Sequence, residues 1–364
     1  MVEPSVRLEE RDCANGMRVA IATLNAPKSL HALTLEMIVV LDGALQRWAA
    51  DPGVACVVLQ SSTDKAFCAG GDVRGLRQAI LAEPHKVPNE AALAFFGAEY
   101  RLDHRIHTYA KPLLVWGGGL VMGGGLGLMA GASHRVATET TRIAMPEISI
   151  GLFPDVGGSW FLPRMPGRCG LFLGLTGAPL NAHDALFAGL ADYVLPQEER
   201  AALLDALCSV AWGDDLANHV ALDRLLRRFD CPPLPVSELR THFDTIAALT
   251  ASRSLDDVVQ AIVGYDGDSA WLRGAARALA GGSPASAGVV WAMRKRARHL
   301  GLADVFRLEL CVAVRCCAHP DFIEGVRALL IDKDNAPRWQ RGAPADIARF
   351  FDAPWASHPL ADLR

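Results

Sequence analysis

The stretch PLLVWGGGLVMGGGLGLMAGA, residues 112–132, constrains this chain more than any other. It carries no charged side chain, so it belongs in an interior. KPLLVWGG (111–118) reads as a buried strand. Gly123–Gly124–Gly125 reads as the turn that opens a buried helix. So many glycines favour a tightly packed segment over a helix facing lipid. No uninterrupted apolar run of about 18 residues occurs elsewhere, so no membrane span is expected.

Short β-rich runs alternate with longer helical patterns on either side. MRVAIATLN (17–25) and ACVVLQSS (55–62) read as strands, and HRVATET (134–140) and TRIAMPE (141–147) follow as further runs. TLEMIVVLDGALQRWAAD (34–51) reads as an amphipathic helix with Thr34 as its N-cap. This order implies an α/β fold, a mostly covered sheet with helices outside it. From about residue 200 the pattern turns helical, and the proline cluster DCPPLPVS (230–237) reads as a linker or rigid turn. Helices are expected near 237–250, 254–264, 268–280, 285–300, 302–317 and 320–331. The expected organisation is a β/α core over 1–230, holding the active site, and a helical region over 231–364 packed on it.

A chain of 364 residues with 51% hydrophobic content can bury a sizeable core. Its formal net charge is −4, and no basic block is long enough to follow a nucleic-acid backbone. The densest basic run, RKRARH (294–299), reads as a solvated helix face, with a contact to a phosphorylated ligand as the alternative. Nine cysteines without a CxxC pair suit a reducing compartment. The opening MVEPSVRLEERDCANG lacks the apolar core of a secretory signal. A cytoplasmic location is the expectation.

Three segments hold the parts of one site. KAFCAGGDVRGL (65–76) turns through Ala69–Gly70–Gly71 into a helix that Asp72 can cap. Small residues there let backbone N–H groups approach a ligand oxygen. VMGGGLGLMAGA (121–132) presents N–H groups at a helix start, which suit an oxyanion. It matches neither the P-loop nor the dinucleotide fingerprint. MPEISIGLFPDVGGSWFLPR (145–164) sets Glu147 and Asp155 eight residues apart in an apolar stretch. Each segment alone has an ordinary explanation: a strand-to-helix turn, close helix packing, a pair of caps. Together they are the parts of acyl chemistry, two amide-bearing turns and two carboxylates made basic by burial.

Four runs in this order and spacing, LNAPKSLHALT (24–34), KAFCAGGDVR (65–74), MGGGLGL (122–128) and MPEISIGLFPDVGGSWFLPR (145–164), resemble the crotonase (enoyl-CoA hydratase/isomerase) superfamily. The FPDVGG…FLPR run and ALLIDKDNAPRW (328–339) are similar to its 3-hydroxyisobutyryl-CoA hydrolase branch. The resemblance covers nearly the whole chain and implies a spiral of ββα turns with helices appended. It implies oxyanion N–H groups from Ala69, Gly71 and Gly124. Glu147 matches the main catalytic carboxylate and Asp155 the second. Glu99 matches a substrate-contacting glutamate, Gly70 and Gly124 line the thioester, and Lys28 and Leu30 lie where the family holds CoA.

Hydratases of the superfamily carry a second glutamate just after the GGG turn, where this chain has Gly127. A glycine holds no water through a carboxylate, so weak or absent hydratase activity is expected. The expected reaction is hydrolysis of a short-chain hydroxyacyl-CoA, 3-hydroxyisobutyryl-CoA of valine breakdown. Glu147 attacks the carbonyl or activates water, and Asp155 orients hydroxyl, water or thiol. An isomerase or hydratase of the same fold, or a protein that binds acyl-CoA without turnover, are the alternatives. Gly118, Ile148 and Ser159–Trp160 depart from the family pattern and bear on the acyl group.

No cofactor is expected beyond the CoA of the substrate, and no metal, since HExxH and Cys/His clusters are missing from the sequence. A monomer or small homo-oligomer is expected. His31, His104, His107 and His134 follow no nucleophile pattern, no GxSxG elbow exists, and these residues read as structural. Cys68 reads as a packing residue. Trp271, Trp291 and Trp339 read as packing anchors.

Overall fold

A computed structural model describes residues 3–84, 86–340 and 344–364. The chain divides into two compact units, each assembled from separate segments. One comprises Met1–Gly71, Arg101–Ile143 and Leu180–Ser237, the other Asp72–Tyr100, Ala144–Pro179 and Glu238–Arg364. The sequence suggests a single boundary near 230. The packing instead groups the late helices with two early segments, because a composition shift along the chain does not reveal interleaving.

The first unit carries the sheets, with β8 ending at its boundary. The strands are β1 (Val6–Asp12), β2 (Arg18–Leu24), β3 (Val54–Ser61), β4 (Ala66–Cys68), β5 (Leu113–Gly117), β6 (Leu120–Met122), β7 (His134–Ala137), β8 (Arg142–Ala144), β9 (Leu180–Asn181) and β10 (Tyr193–Val194). One sheet has the order β1-β2-β3-β5-β7-β10, the other β4-β6-β8-β9. β2, β3, β5, β7 and β10 run parallel, and β1 joins β2 antiparallel, pairing Val6 with Leu24. The parallel strands β3 and β5 are apolar almost throughout because both faces are covered. β1, sequence VRLEERD, lies at the edge and exposes most of its charged side chains, which discourages pairing with a further strand.

The expected elements near 17–25, 34–51, 55–62 and 111–118 are present. The helix Leu35–Ala50 begins where Thr34 Oγ1 accepts the Met37 N–H at 3.2 Å. It buries Met37, Ile38, Leu41, Leu45 and Trp48, the spacing of one helical face.

The second unit is helical. Ser254, Ser269 and Ser283 cap the helices Leu255–Val263, Ala270–Gly281 and Pro284–Arg296, each accepting an N–H of the first turn. The expected helix 237–250 is broken at His242 into Glu238–Thr241 and Phe243–Leu249. Leu302–Ala318 runs nearly as expected. The last helix, Pro320–Val326, passes into a wider turn over Arg327–Ile331. Trp271 anchors by donating Nε1–H to Pro179 O at 2.7 Å, and Trp339 donates to Gly281 O at 2.8 Å. Among the described residues no helix is long and apolar enough to cross a membrane.

Candidate active site

In the first unit, two glycine segments converge. Gly70 has φ +103, and a Cβ there would stand 3.3 Å from Met122 O and 3.9 Å from Gly124 N. Gly125 lies closer still: a Cβ would fall 2.4 Å from Cys68 O. Only a residue without a side chain permits this approach, and Cys68 is the packing residue on the other side. The turn is held by Leu33 N–H donating to Gly70 O at 2.8 Å. Among the described residues, no acceptor takes the N–H of Gly71 or of Gly124. Gly124 opens the helix Gly124–Ala130, whose first-turn amides have no intrahelical partner. Ala69 is different. Its N–H donates to Leu30 O at 3.0 Å, so it drops out of the expected donor set. The backbone of the Leu30 loop has taken that hydrogen.

The Leu30 loop is itself constrained. Leu30 and His31 both have left-handed backbone, φ 53 and 59, which non-glycine residues adopt at a cost. His31 is fully buried and fastens the loop: Nδ1 accepts the Ala26 N–H at 3.0 Å and Nε2 meets Thr63 Oγ1 at 2.9 Å. Burial lowers its pKa, keeping the ring neutral in this role. Lys28 stands exposed in the short turn Pro27–Ser29. Gly118 faces the side-chain amide of Gln197, so a larger residue at 118 requires that flexible side chain to move aside.

The second unit gathers the carboxylates. Glu147 opens the single turn Glu147–Ile150 after Pro146, and Gly151 closes it in left-handed conformation. Asp155 follows in a loop where Val156, a β-branched residue, has φ 49 and Gly157 has φ 88. Strain of this kind persists only where the surroundings enforce it, and here they do. Both oxygens of Glu309 accept backbone hydrogens from this loop, Gly157 N–H at 2.8 Å and Ser159 N–H at 2.9 Å. Tyr100 Oη donates to Asp155 Oδ2 at 2.6 Å. Glu99 precedes Tyr100 on the helix Glu90–His107. Glu99, Tyr100, Glu147, Asp155 and Glu309 are all buried.

This concentration of acid displaces every pKa in it. Burial, then the charge of Asp155, holds Glu147 and Glu99 well above the usual carboxylate range. Burial raises Asp155 to about 6, against the lowering effect of the Tyr100 hydrogen bond. Burial and Asp155 raise Glu309 to about 8, against the lowering by the two loop amides. Glu147 Oε2 and Glu99 Oε1 have no hydrogen-bond partner among the described residues. A buried oxygen left bare is costly and is available to a ligand.

The structure thus brings Glu99, Glu147 and Asp155 together, and separately Gly70, Gly71 and Gly124. Tyr100 and Glu309 are additions. Tyr100 gives no signal in the sequence beyond its place in FFGAEY. Glu309 gives one, a lone glutamate in the apolar run RLELCVAV, where burial demands a partner. Ile148 is buried and packs on Gly282, and its carbonyl accepts the Ser283 N–H at 3.0 Å. Trp160 is half-buried beneath the Arg164 guanidinium, 3.2 Å from the ring centre.

The enoyl-CoA hydratase/isomerase family profile matches residues 19–351. The 3-hydroxyisobutyryl-CoA hydrolase, mitochondrial, of Danio rerio is 36% identical over 348 residues, covering 95% of this chain and 89% of the relative. Two solved structures also match: an enoyl-CoA hydratase from Rhodobacter sphaeroides 2.4.1 at 33% identity and TM-score 0.81, covering 95% of this chain and 97% of that one, and a carnitinyl-CoA dehydratase from Mycobacterium thermoresistibile at 31% and 0.85, covering 98% of each. The α/β fold of the crotonase type expected from the sequence is borne out.

Proposed function

The chain belongs to the enoyl-CoA hydratase/isomerase family, and we propose that within it the protein hydrolyses 3-hydroxyisobutyryl-CoA to 3-hydroxyisobutyrate and CoA, a step of valine breakdown. The name of the Danio rerio relative supports this substrate. The observation that carries the chemistry is the buried Glu147–Asp155 pair, in which the charge of one raises the pKa of the other. A hydroxyacyl thioester needs one group to attack or deliver water at the carbonyl and another to orient hydroxyl, water or thiol. Two buried carboxylates, one of them raised by the other's charge, suit that division.

The roles follow. The Gly71 and Gly124 amides bind the thioester oxygen as it becomes an oxyanion. Glu147, once ionised, either attacks the carbonyl carbon to form an anhydride that water then cleaves to the free acid, or removes a proton from the attacking water. The C–S bond breaks, and the CoA thiolate takes a proton. Asp155 holds the substrate hydroxyl or the water, and Glu99 contacts the acyl group. The loop Asn25–Leu30 receives CoA, with Lys28 beside its phosphates. The reaction uses no cofactor beyond the CoA of the substrate. The protein acts as a monomer or small homo-oligomer.

The solved structures named as hydratase and dehydratase favour a second reading, an enzyme that adds or removes water across a carbon–carbon double bond. Gly127 stands against it, buried on the helix Gly124–Ala130 and without a carboxylate. Free-thiol release from 3-hydroxyisobutyryl-CoA by wild type, Glu147→Gln and Asp155→Asn decides between them. Release that collapses in both variants supports hydrolysis. Hydration of an enoyl-CoA without thiol release selects the second reading. Single turnover in ¹⁸O-water separates the two hydrolytic routes, because label enters Glu147 only through an anhydride.

A cytoplasmic location accords with nine cysteines, none of them in a disulfide among the described residues. The Danio rerio relative is named mitochondrial, and cell fractionation separates the two compartments.

A further inference from the structure

The loop and helices over 153–171 and the segment 284–298, all in the second unit, line an open cavity of about 420 Å³. Part of its wall is apolar, including Phe153 and Met293. Its charged lining has one sign only: Arg168, Arg294, Lys295 and Arg298, with no acidic residue beside them. Most of the basic run at 294–299 is exposed, as a solvated face would be, and Arg294, Lys295 and Arg298 of it also line this cavity.

Arg168 turns part of its guanidinium to the carbonyls of Thr250 and Ser252. Arg294 lies over the Trp291 ring, 4.2 Å from its centre, and its Nε–H is buried without an acceptor among the described residues. Burial, followed by the charges of Arg168 and Arg298, pushes Arg294 below the usual arginine range. An unmet donor and crowded like charges both disfavour this arrangement. A multiply charged anion relieves both. Guanidinium forks engage phosphate oxygens in pairs, and the apolar wall accepts an organic body.

We propose that this cavity binds a small organic molecule through a phosphate group held by Arg168, Arg294, Lys295 and Arg298. Two sources offer that chemistry: the phosphates of the CoA substrate, and a separate phosphorylated metabolite.

The first test is calorimetric titration of the full chain with inorganic pyrophosphate at two salt concentrations. Wild type should bind saturably and more weakly at high salt. The Arg294→Gln/Arg298→Gln variant should bind about tenfold more weakly or worse, with its melting temperature unchanged. Lys295→Gln/Arg298→Gln, which leaves the half-buried Arg294 in place, should move the same way and serves if the first variant folds poorly. No binding by wild type, or equal binding by wild type and a folded variant, overturns the proposal.

The second test measures KM for 3-hydroxyisobutyryl-CoA and for its 3′-dephospho form. A variant that raises KM for the first alone assigns the site to the substrate's own phosphate. Unchanged KM values, with pyrophosphate binding lost, assign it to a separate ligand. Only this second test rests on the hydrolase reading, so the two can fail independently.

Discussion

Tyr100 donates its phenolic hydrogen to Asp155 across 2.6 Å, and this bond lowers the pKa that burial raises. A hydrogen bond to the charged form favours that form. The bond favours the charge on Asp155 against its burial, leaving its pKa at about 6. That charge then raises its two neighbours. Glu147 must lose a proton before it can attack, so turnover should rise with pH above the usual carboxylate range.

Tyr100→Phe removes the bond without removing the ring. Asp155 then moves above about 6. The part of the acidic limb of log kcat/KM set by Asp155 should shift to higher pH by roughly one unit, and the part set by Glu147 should remain. A limb that stays put in Tyr100→Phe means Asp155 is not the group titrating there.

Glu147→Gln should separate activity from stability. Thiol release should fall by about 10³-fold. The melting temperature should hold or rise, because a buried acid with a bare oxygen gives way to an uncharged group of the same shape. Thermal unfolding measured beside the kinetics checks both. A large loss of stability would assign Glu147 a structural part.

The cluster also fixes how stability depends on pH. Asp155 and Glu309 have folded-state pKa values of about 6 and about 8, above the ordinary values of 3.8 and 4.5. Between each pair of values the folded state binds more protons than the unfolded one, so stability falls as pH rises. Their contribution is complete below pH 4 and is lost through pH 6 to 8. Melting temperatures from pH 5 to pH 9, taken at constant ionic strength, should decline, and the decline should be shallower in Glu309→Gln.

Glu309→Ala should loosen the loop that carries Asp155. Two amides lose their acceptor and Val156 loses the clamp on its left-handed backbone. We expect kcat to drop by about ten- to a hundredfold with KM little changed. Gln, which can accept one of the two hydrogens, should restore part of kcat. Equal kcat in wild type and both variants removes Glu309 as a positioning residue.

Gly125→Ala should cost about 1–3 kcal/mol in denaturant unfolding, because its Cβ would meet Cys68 O at 2.4 Å. Gly43→Ala is the control. Its Cβ meets nothing within 4 Å in the helix Leu35–Ala50, so it should stabilise by about 0.5–1 kcal/mol.

Much of this was legible because it is local. A buried parallel strand writes itself as an apolar run, as at 55–62, and a capped helix as Thr34 before a periodic face. The candidate site residues Glu147, Asp155, Gly71 and Gly124 sit in short motifs whose order and spacing are visible. What stayed hidden depends on partners distant in sequence. Ala69 loses its role to Leu30, and nothing in KAFCAGG announces that bond. β1 is masked by its charge, which an edge strand tolerates. Tyr100 and Glu309 matter only because folding brings them to Asp155, 55 residues from one, and to Gly157, 152 residues from the other.

That last separation has a consequence during synthesis. By the time Gly157 leaves the ribosome, Glu147 and Asp155 have already been made, but the glutamate that clamps their loop is 152 residues away. At common translation rates the wait lasts roughly 8 to 30 seconds. The left-handed Val156 turn has no clamp throughout that interval, so a nascent chain can hold its acids without holding them in working order. Activity should therefore switch on late, when most of the polypeptide has been delivered, and a ribosome-stalled chain ending before Glu309 should be inert.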